Sequence, residues 1–123
     1  MSFHQLLCDQ AEQRACNAII RGIAGRDAKL RRTEDPDLHT DWLSWPVGEW
    51  VAVCTVKSLD EPDEEVTEFE VRLRNAATSE VVSRRFDRTG GEIRHARHWV
   101  LKCVRDPEYR ERWKHEEEAG RED

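Results

Sequence analysis

Seven carboxylates fall within thirteen residues in "SLDEPDEEVTEFE", Ser58–Glu70, and no basic residue stands among them. Carboxylates at that density can hold a divalent cation, exchange protons, or present negative charge to a cationic surface. A calcium loop spaces its oxygen ligands around a glycine at the sharp bend, and this stretch carries Pro62 instead. Acid–base catalysis needs carboxylates in a cleft with displaced pKa values, whereas a run of like charge repels itself and stays solvated. The third chemistry fits best. Asp60, Glu61, Asp63, Glu64 and Glu65 lead into "TEFEVRL", where Phe69, Val71 and Leu73 alternate with Glu68, Glu70 and Arg72. Glu68 and Glu70 then belong on the solvent side of a strand, and the loop carboxylates extend that face. Carboxylates spaced along a stiff strand imitate the phosphate row of a polynucleotide, which makes the segment a candidate DNA mimic for a basic partner. The plainer reading is a solvated turn that keeps a sheet edge from pairing with other chains.

A second cluster follows "TGGE". Arg94, His95, His98, Lys102 and Arg105 share the polar arc of the next helix, where they could follow a phosphate backbone while Trp99 stacks on a base. His95 and His98 with Glu92 are the alternative, a metal set. Cys8, Cys16, Cys54 and Cys103 are scattered without a CxxC pair and read as small buried hydrophobes rather than zinc ligands. No G-x-S-x-G and no glycine-rich phosphate loop is present. The expected catalytic set is therefore empty, the expected cofactors and metals are none, and a small metal-dependent hydrolase is the enzyme alternative.

The charge is segregated along the chain. Residues 1–48 carry 6 basic and 7 acidic residues, 49–75 carry 3 and 8, 76–105 carry 7 and 3, and 106–123 carry 4 and 8. Such alternation puts distinct patches on a folded surface, and patches steer charged partners. The net charge of −6 argues against general binding to nucleic acid or to anionic membranes. No apolar run approaches the ~20 residues of a membrane-spanning helix, and the N-terminal stretch lacks the pattern of a signal peptide. A cytoplasmic protein is expected. The 123 residues suit one domain, with fraying from about residue 119.

The elements that must position these groups read as α-α-β-β-β-α-α: a three-stranded antiparallel meander with N-terminal and C-terminal helices on one face. Ser2 and Gln5 open the first helix as a capping box. Leu7, Ala11, Ala15, Ala18 and Ile19 recur along it at helical spacing, and Gly22 and Gly25 mark its end. Asp35–Pro36 reads as a cap opening a short second helix, with Leu38, Trp42 and Trp45 on one side and Pro46 as its stop. "EWVAVCTVKSL" is the central strand, "EVTEFEVRLRN" the second and "EVVSRRFD" the third. Thr89 with Glu92 caps a helix that buries Ile93, Ala96, Val100, Cys103 and Val104. Asp106–Pro107 opens the last helix, anchored by Tyr109 and Trp113. Trp42, Trp45 and Trp50 either pack as core or face a partner, a homodimer included.

The segment "VRLRNAATSEVVSRRFDRTGGEIRHARHW", Val71–Trp99, resembles part of the small phage-encoded type I anti-CRISPR proteins. The shared pattern is a hairpin, then Arg84, Phe86, Asp87 and Thr89, then a helix bearing Trp99. The resemblance implies a non-enzymatic inhibitor in the host cytoplasm that binds a CRISPR effector, a Cascade subunit or the Cas3 nuclease. No binding residue is carried over from it. The partner-binding candidates Asp60, Glu61, Asp63, Glu64, Glu65, Glu68 and Glu70 come from the charge reading alone. A nucleic-acid-binding module built on Arg94, His95, His98, Lys102 and Arg105 is the alternative function.

Overall fold

A computed structural model describes residues 2–26, 31–34, 41–88 and 90–121, with side chains described for 2–26, 43–88 and 91–114. The element order is α1 (Phe3–Ala24), β1 (Arg31–Glu34), β2 (Asp41–Val47), β3 (Trp50–Val56), β4 (Glu68–Asn75), β5 (Val81–Asp87), α2 (Gly90–Arg105) and α3 (Pro107–Arg121). The fold is α+β: an N-terminal helix, an antiparallel meander and two C-terminal helices. The meander has five strands in sequence order, with β2 to β5 as its body and the short β1 at one edge.

The expected sheet of three strands gains two. The stretch Asp41–Val47 is β2, not the end of a second helix. Leu38, Trp42 and Trp45 imitate a helical stripe, but Leu43, Trp45 and Val47 also alternate at period two. Those three pair with Cys54, Ala52 and Trp50 of β3 and pack into the core. Pairing to β3 therefore overrides the local helical spacing. Pro46 falls beyond the residues that β1 pairs with, where a strand tolerates proline. Val47 and Trp50 close a two-residue turn. Gly48 has φ +60° at its first position, the place where tight hairpins favour glycine. The Asp35–Pro36 cap, Leu38 and the Thr89 cap lie outside the described residues.

One face of the sheet is the core face. Trp50, Ala52 and Cys54 of β3, Phe69, Val71 and Leu73 of β4, and Val82 and Phe86 of β5 lie on it. Helices α1, α2 and α3 pack against the sheet, with Tyr109 and Trp113 of α3 against the core cluster. Helix α1 buries Cys8, Glu12, Ala15, Cys16, Ile19, Ile20 and Ile23. Its buried stripe is thus rotated from the one expected, and Ala18 is exposed. Ser2 caps it by accepting the Gln5 N–H at 3.1 Å, while the Gln5 side chain turns away to Asp9 at 2.8 Å. Only half of the capping box forms.

Gly25, at φ +91°, ends α1. Gly22 does something else. It lies inside the helix, where a Cβ would stand 2.7 Å from Ile93 Cγ2 of α2, so glycine is what lets the two helices approach.

Ala96, Trp99, Val100 and Cys103 are the buried face of α2, and Ile93 and Val104 are half-buried beside them. Asp106 caps α3 by accepting the N–H groups of Glu108 and Tyr109 at 3.0 and 3.2 Å. Helix α3 continues past the expected end near 119 to Arg121, and residues 122 and 123 lie outside the described set. Tyr109 and Trp113 anchor it. Phe69, Phe86, Trp99, Trp113 and Tyr109 form a continuous run of ring contacts with centroids 5.3 to 6.0 Å apart.

Candidate functional site

The acidic loop, residues 57–67, is tied down at its start. Glu12 of α1 is 4% exposed, and its Oε1 accepts the Leu59 N–H at 2.8 Å. Two turns earlier, His4 Nε2 meets the Asp60 carbonyl oxygen at 2.7 Å and lies 3.9 Å from a Glu61 carboxylate oxygen. The tip closes on itself. Glu64 N–H donates to the Glu61 carbonyl at 3.2 Å, and Glu61 N–H donates to Glu64 Oε1 at 2.8 Å. Val66 is buried, and the Arg88 N–H donates to the Thr67 carbonyl at 2.7 Å. Backbone groups with assigned partners and a buried side chain are what give a loop one conformation.

The carboxylates on this loop face water. Asp60, Glu61, Asp63, Glu64 and Glu65 are all exposed. Among the described residues no lysine or arginine forms an ion pair with any of them, and the imidazole of His4 is the side chain that comes within 4 Å of Glu61. Their field reaches inward. Burial first, then Glu12, Glu61, Asp9 and Glu64, push the Cys8 thiol above its usual range. That ordering places helix and loop carboxylates in one negative neighbourhood.

Glu68 and Glu70 stand apart from the loop set. They lie on the face of the sheet opposite α1, while the loop leans onto α1. Glu68 is exposed and sits opposite Asp87 in the register. Glu70 is half-buried and lies between two guanidinium groups, 3.4 Å from Arg72 and 3.6 Å from Arg85. A shallow depression of about 360 Å³ runs beside them, lined by Thr55, Lys57, Glu68, Glu70 and Arg85 among others. Its charges are mixed. The seven candidates thus divide into a loop cluster without internal arginine partners and a strand pair of which one member is already compensated.

The basic set lies on the outside of α2. Arg94, His95, His98, Lys102 and Arg105 are exposed, as is Arg97, which the sequence reading did not single out. His95 Nδ1 is 3.2 Å from Glu92, and the Lys102 ammonium sits 4.6 Å from the centroid of Tyr109. Trp99 is 1% exposed and packs edge-on against Phe86 and Trp113, so it has no free face for a base. Trp45 and Trp50 are also core; the side chain of Trp42 lies outside the described residues. Among the described residues no three His, Cys, Asp or Glu side chains come together as metal ligands. All four cysteines are free thiols and buried. No described helix is long and apolar enough to cross a membrane.

Sequence reasoning missed His4 and Glu12, which hold the loop. The available signal was their spacing: His4, Cys8 and Glu12 recur every fourth residue along α1. A charged residue in the middle of an apolar helical stripe indicates a buried partner. The residues of the Val71–Trp99 segment have structural roles. Arg84 is 4.9 Å from the centroid of Phe86 and 4.5 Å from that of Trp113, and Phe86 and Trp99 are core.

No family model, no curated protein and no solved structure matches the chain.

Proposed function

We propose that this protein is a non-enzymatic, protein-binding inhibitor whose acidic loop occupies a basic nucleic-acid site on its partner. The observation that carries the reading is the loop itself: five exposed carboxylates, Asp60, Glu61, Asp63, Glu64 and Glu65, on a backbone pinned to α1 through Leu59 and Asp60. Binding a pre-ordered loop costs less conformational entropy than ordering a flexible one. Exposed carboxylates without a lysine or arginine partner attract a cationic groove from a distance and disfavour acidic surfaces. Glu68 follows the loop in sequence but lies on the sheet face turned away from α1, outside this display. Glu70 contributes least, because Arg72 and Arg85 compensate it.

The partner class is a basic protein that handles nucleic acid. A Cascade subunit or Cas3 is the case that the Val71–Trp99 resemblance favours, and in that case the protein works in the host cytoplasm as an anti-CRISPR protein. The test is displacement of target DNA from a purified type I Cascade, followed by gel shift. The wild-type chain releases DNA, and a folded variant with all five loop carboxylates changed to Lys does not. Equal release by both proteins removes the loop from the mechanism.

A second reading rests on the exposure of Arg94, His95, His98, Lys102 and Arg105 on the outside of α2, with Arg97 beside them. A nucleic-acid-binding module predicts a gel shift of free DNA or RNA that weakens steeply with salt. The buried position of Trp99 leaves that module without its stacking group.

A further inference from the structure

Helix α2 turns a basic stripe to solvent. Arg94, His98 and Arg105 recur along one side of it, with Arg97 and Lys102 flanking them, and all five are exposed. The stripe runs about 16 Å from Arg94 to Arg105. Among the described residues Arg94, Arg97 and Arg105 form no ion pair. The acidic loop is the opposite case: Asp60, Glu61, Asp63, Glu64 and Glu65 are exposed, and none is paired with a lysine or arginine. Both patches lie on the helical side of the sheet, the loop against the N-terminal half of α1 and the stripe on α2. One molecule does not bring them together. Glu12 holds the loop and Gly22 meets Ile93 at the start of α2, and these two positions are about 15 Å apart along α1.

The patches are opposite in sign and need a second molecule to meet. We propose that two copies of this chain associate reciprocally, the Asp60–Glu65 loop of each seating on the Arg94, Arg97 and Arg105 stripe of the other. The second copy supplies what the stripe lacks: a run of exposed carboxylates already held in one conformation by His4 and Glu12. Nucleic acid is the other polyanion of matching chemistry, but Trp99, the side chain that would stack on its bases, is buried. Each copy carries both patches on one side, so two equivalent contacts form in one pair and the association closes at a dimer. This inference does not rest on the inhibitory role proposed above. It gives the loop two states, covered in the dimer and free in the monomer. The contact joins charges that are exposed in the free chain. It therefore belongs to the weak, transient class and weakens with added salt.

The test is sedimentation velocity on the full chain from ~10 µM to ~1 mM, at ~0.1 M and ~0.5 M salt. The expected result is a sedimentation coefficient that rises with concentration toward that of a dimer at the lower salt and rises less at the higher. The loop variant carries Asp60→Lys, Asp63→Lys and Glu65→Lys, and the α2 variant carries Arg94→Glu, Arg97→Glu and Arg105→Glu. All six positions are exposed, and a thermal melt of each variant verifies its fold. Each variant alone has an association constant at least tenfold lower than wild type, the scale of like charges facing one another across a contact. For the loop variant this runs against net charge, because its three changes remove the −6 altogether and relieve general repulsion. Mixed in equal amounts, the two variants recover the dimer, since the basic loop of one meets the acidic stripe of the other. A wild-type chain that stays monomeric throughout overturns the proposal, and if that monomer retards a DNA duplex on a gel, nucleic acid is the occupant of the stripe. Growth past two copies also overturns it, as do association that strengthens with salt, a variant that keeps the wild-type association constant, and variants that do not pair on mixing. The α2 variant keeps every loop carboxylate, so its displacement of DNA from Cascade is read separately from its association state.

Discussion

The carboxylate of Glu12, buried in the middle of α1, accepts the backbone N–H of Leu59 at 2.8 Å, forty-seven residues along the chain. The other oxygen, Oε2, is buried without a hydrogen-bond partner. One buried acid thus joins the first helix to the start of the acidic loop, and it does so inside a neighbourhood that is already negative.

The Glu12 carboxyl is held above its ordinary range, by burial first, against which the Leu59 N–H acts, and further by the charge of Asp9. A carboxyl whose pKa is higher folded than unfolded holds its proton more tightly in the folded state. Its contribution to stability is fully present below the unfolded value and is lost as pH rises through the folded one. Glu12→Gln keeps an acceptor for Leu59 and removes the charge. The variant is expected to melt at a higher temperature than wild type at pH 7, with the gap closing toward pH 4. Thermal melts across that range check the sign.

Gly22→Ala tests the contact between α1 and α2. In an exposed helix the change would stabilise by about 1 kcal/mol. Here the new methyl meets Ile93 Cγ2 at 2.7 Å, and a β-branched side chain has little room to turn. The expected outcome is a net loss of about 1–3 kcal/mol, the scale of overpacking. Ile93→Leu, which moves the branch outward, is expected to recover part of that loss when combined with it. Denaturant unfolding of the double-mutant cycle measures both.

The thiols report on the core. Burial pushes Cys103 up to about 12, against the pull of Arg110 and Arg84. Cys8 is raised by burial and by its carboxylate neighbours. Thiolate is the reactive form, so a thiol-specific colour reagent at pH 8 is expected to leave Cys8 and Cys103 of the native protein nearly unmodified, whereas Cys16, lowered by its hydrogen bond with Cys54, is protected by burial alone. In denaturant the reagent titrates all four cysteines.

Much of the architecture was legible in the sequence. The helix starts at Ser2 and Asp106 and the alternation of Phe69, Val71 and Leu73 each rest on local chemistry, and local chemistry is what a sequence displays. The edge of the sheet was not legible. Trp42 and Trp45 fit a helical stripe as well as a strand, and only pairing with β3 decides between them. Gly22 read as a terminator because glycine ends helices more often than it admits a neighbour.

The site was legible by half. The density of charge from Asp60 to Glu65 marked the loop, but its anchors His4 and Glu12 lie more than forty residues away in sequence. Whether a carboxylate is compensated also depends on strands brought together by folding. That is why Glu70, between Arg72 and Arg85, looked the same in sequence as Asp63, which has no such neighbour.

The account stands on the acidic loop being a single ordered display rather than a mobile tether. Backbone ¹⁵N relaxation over residues 57–67 tests this most directly. The account predicts order parameters near ~0.85 for Leu59, Asp60, Glu61 and Glu64, equal to those of the flanking strands. Values below ~0.6 across the loop would contradict it.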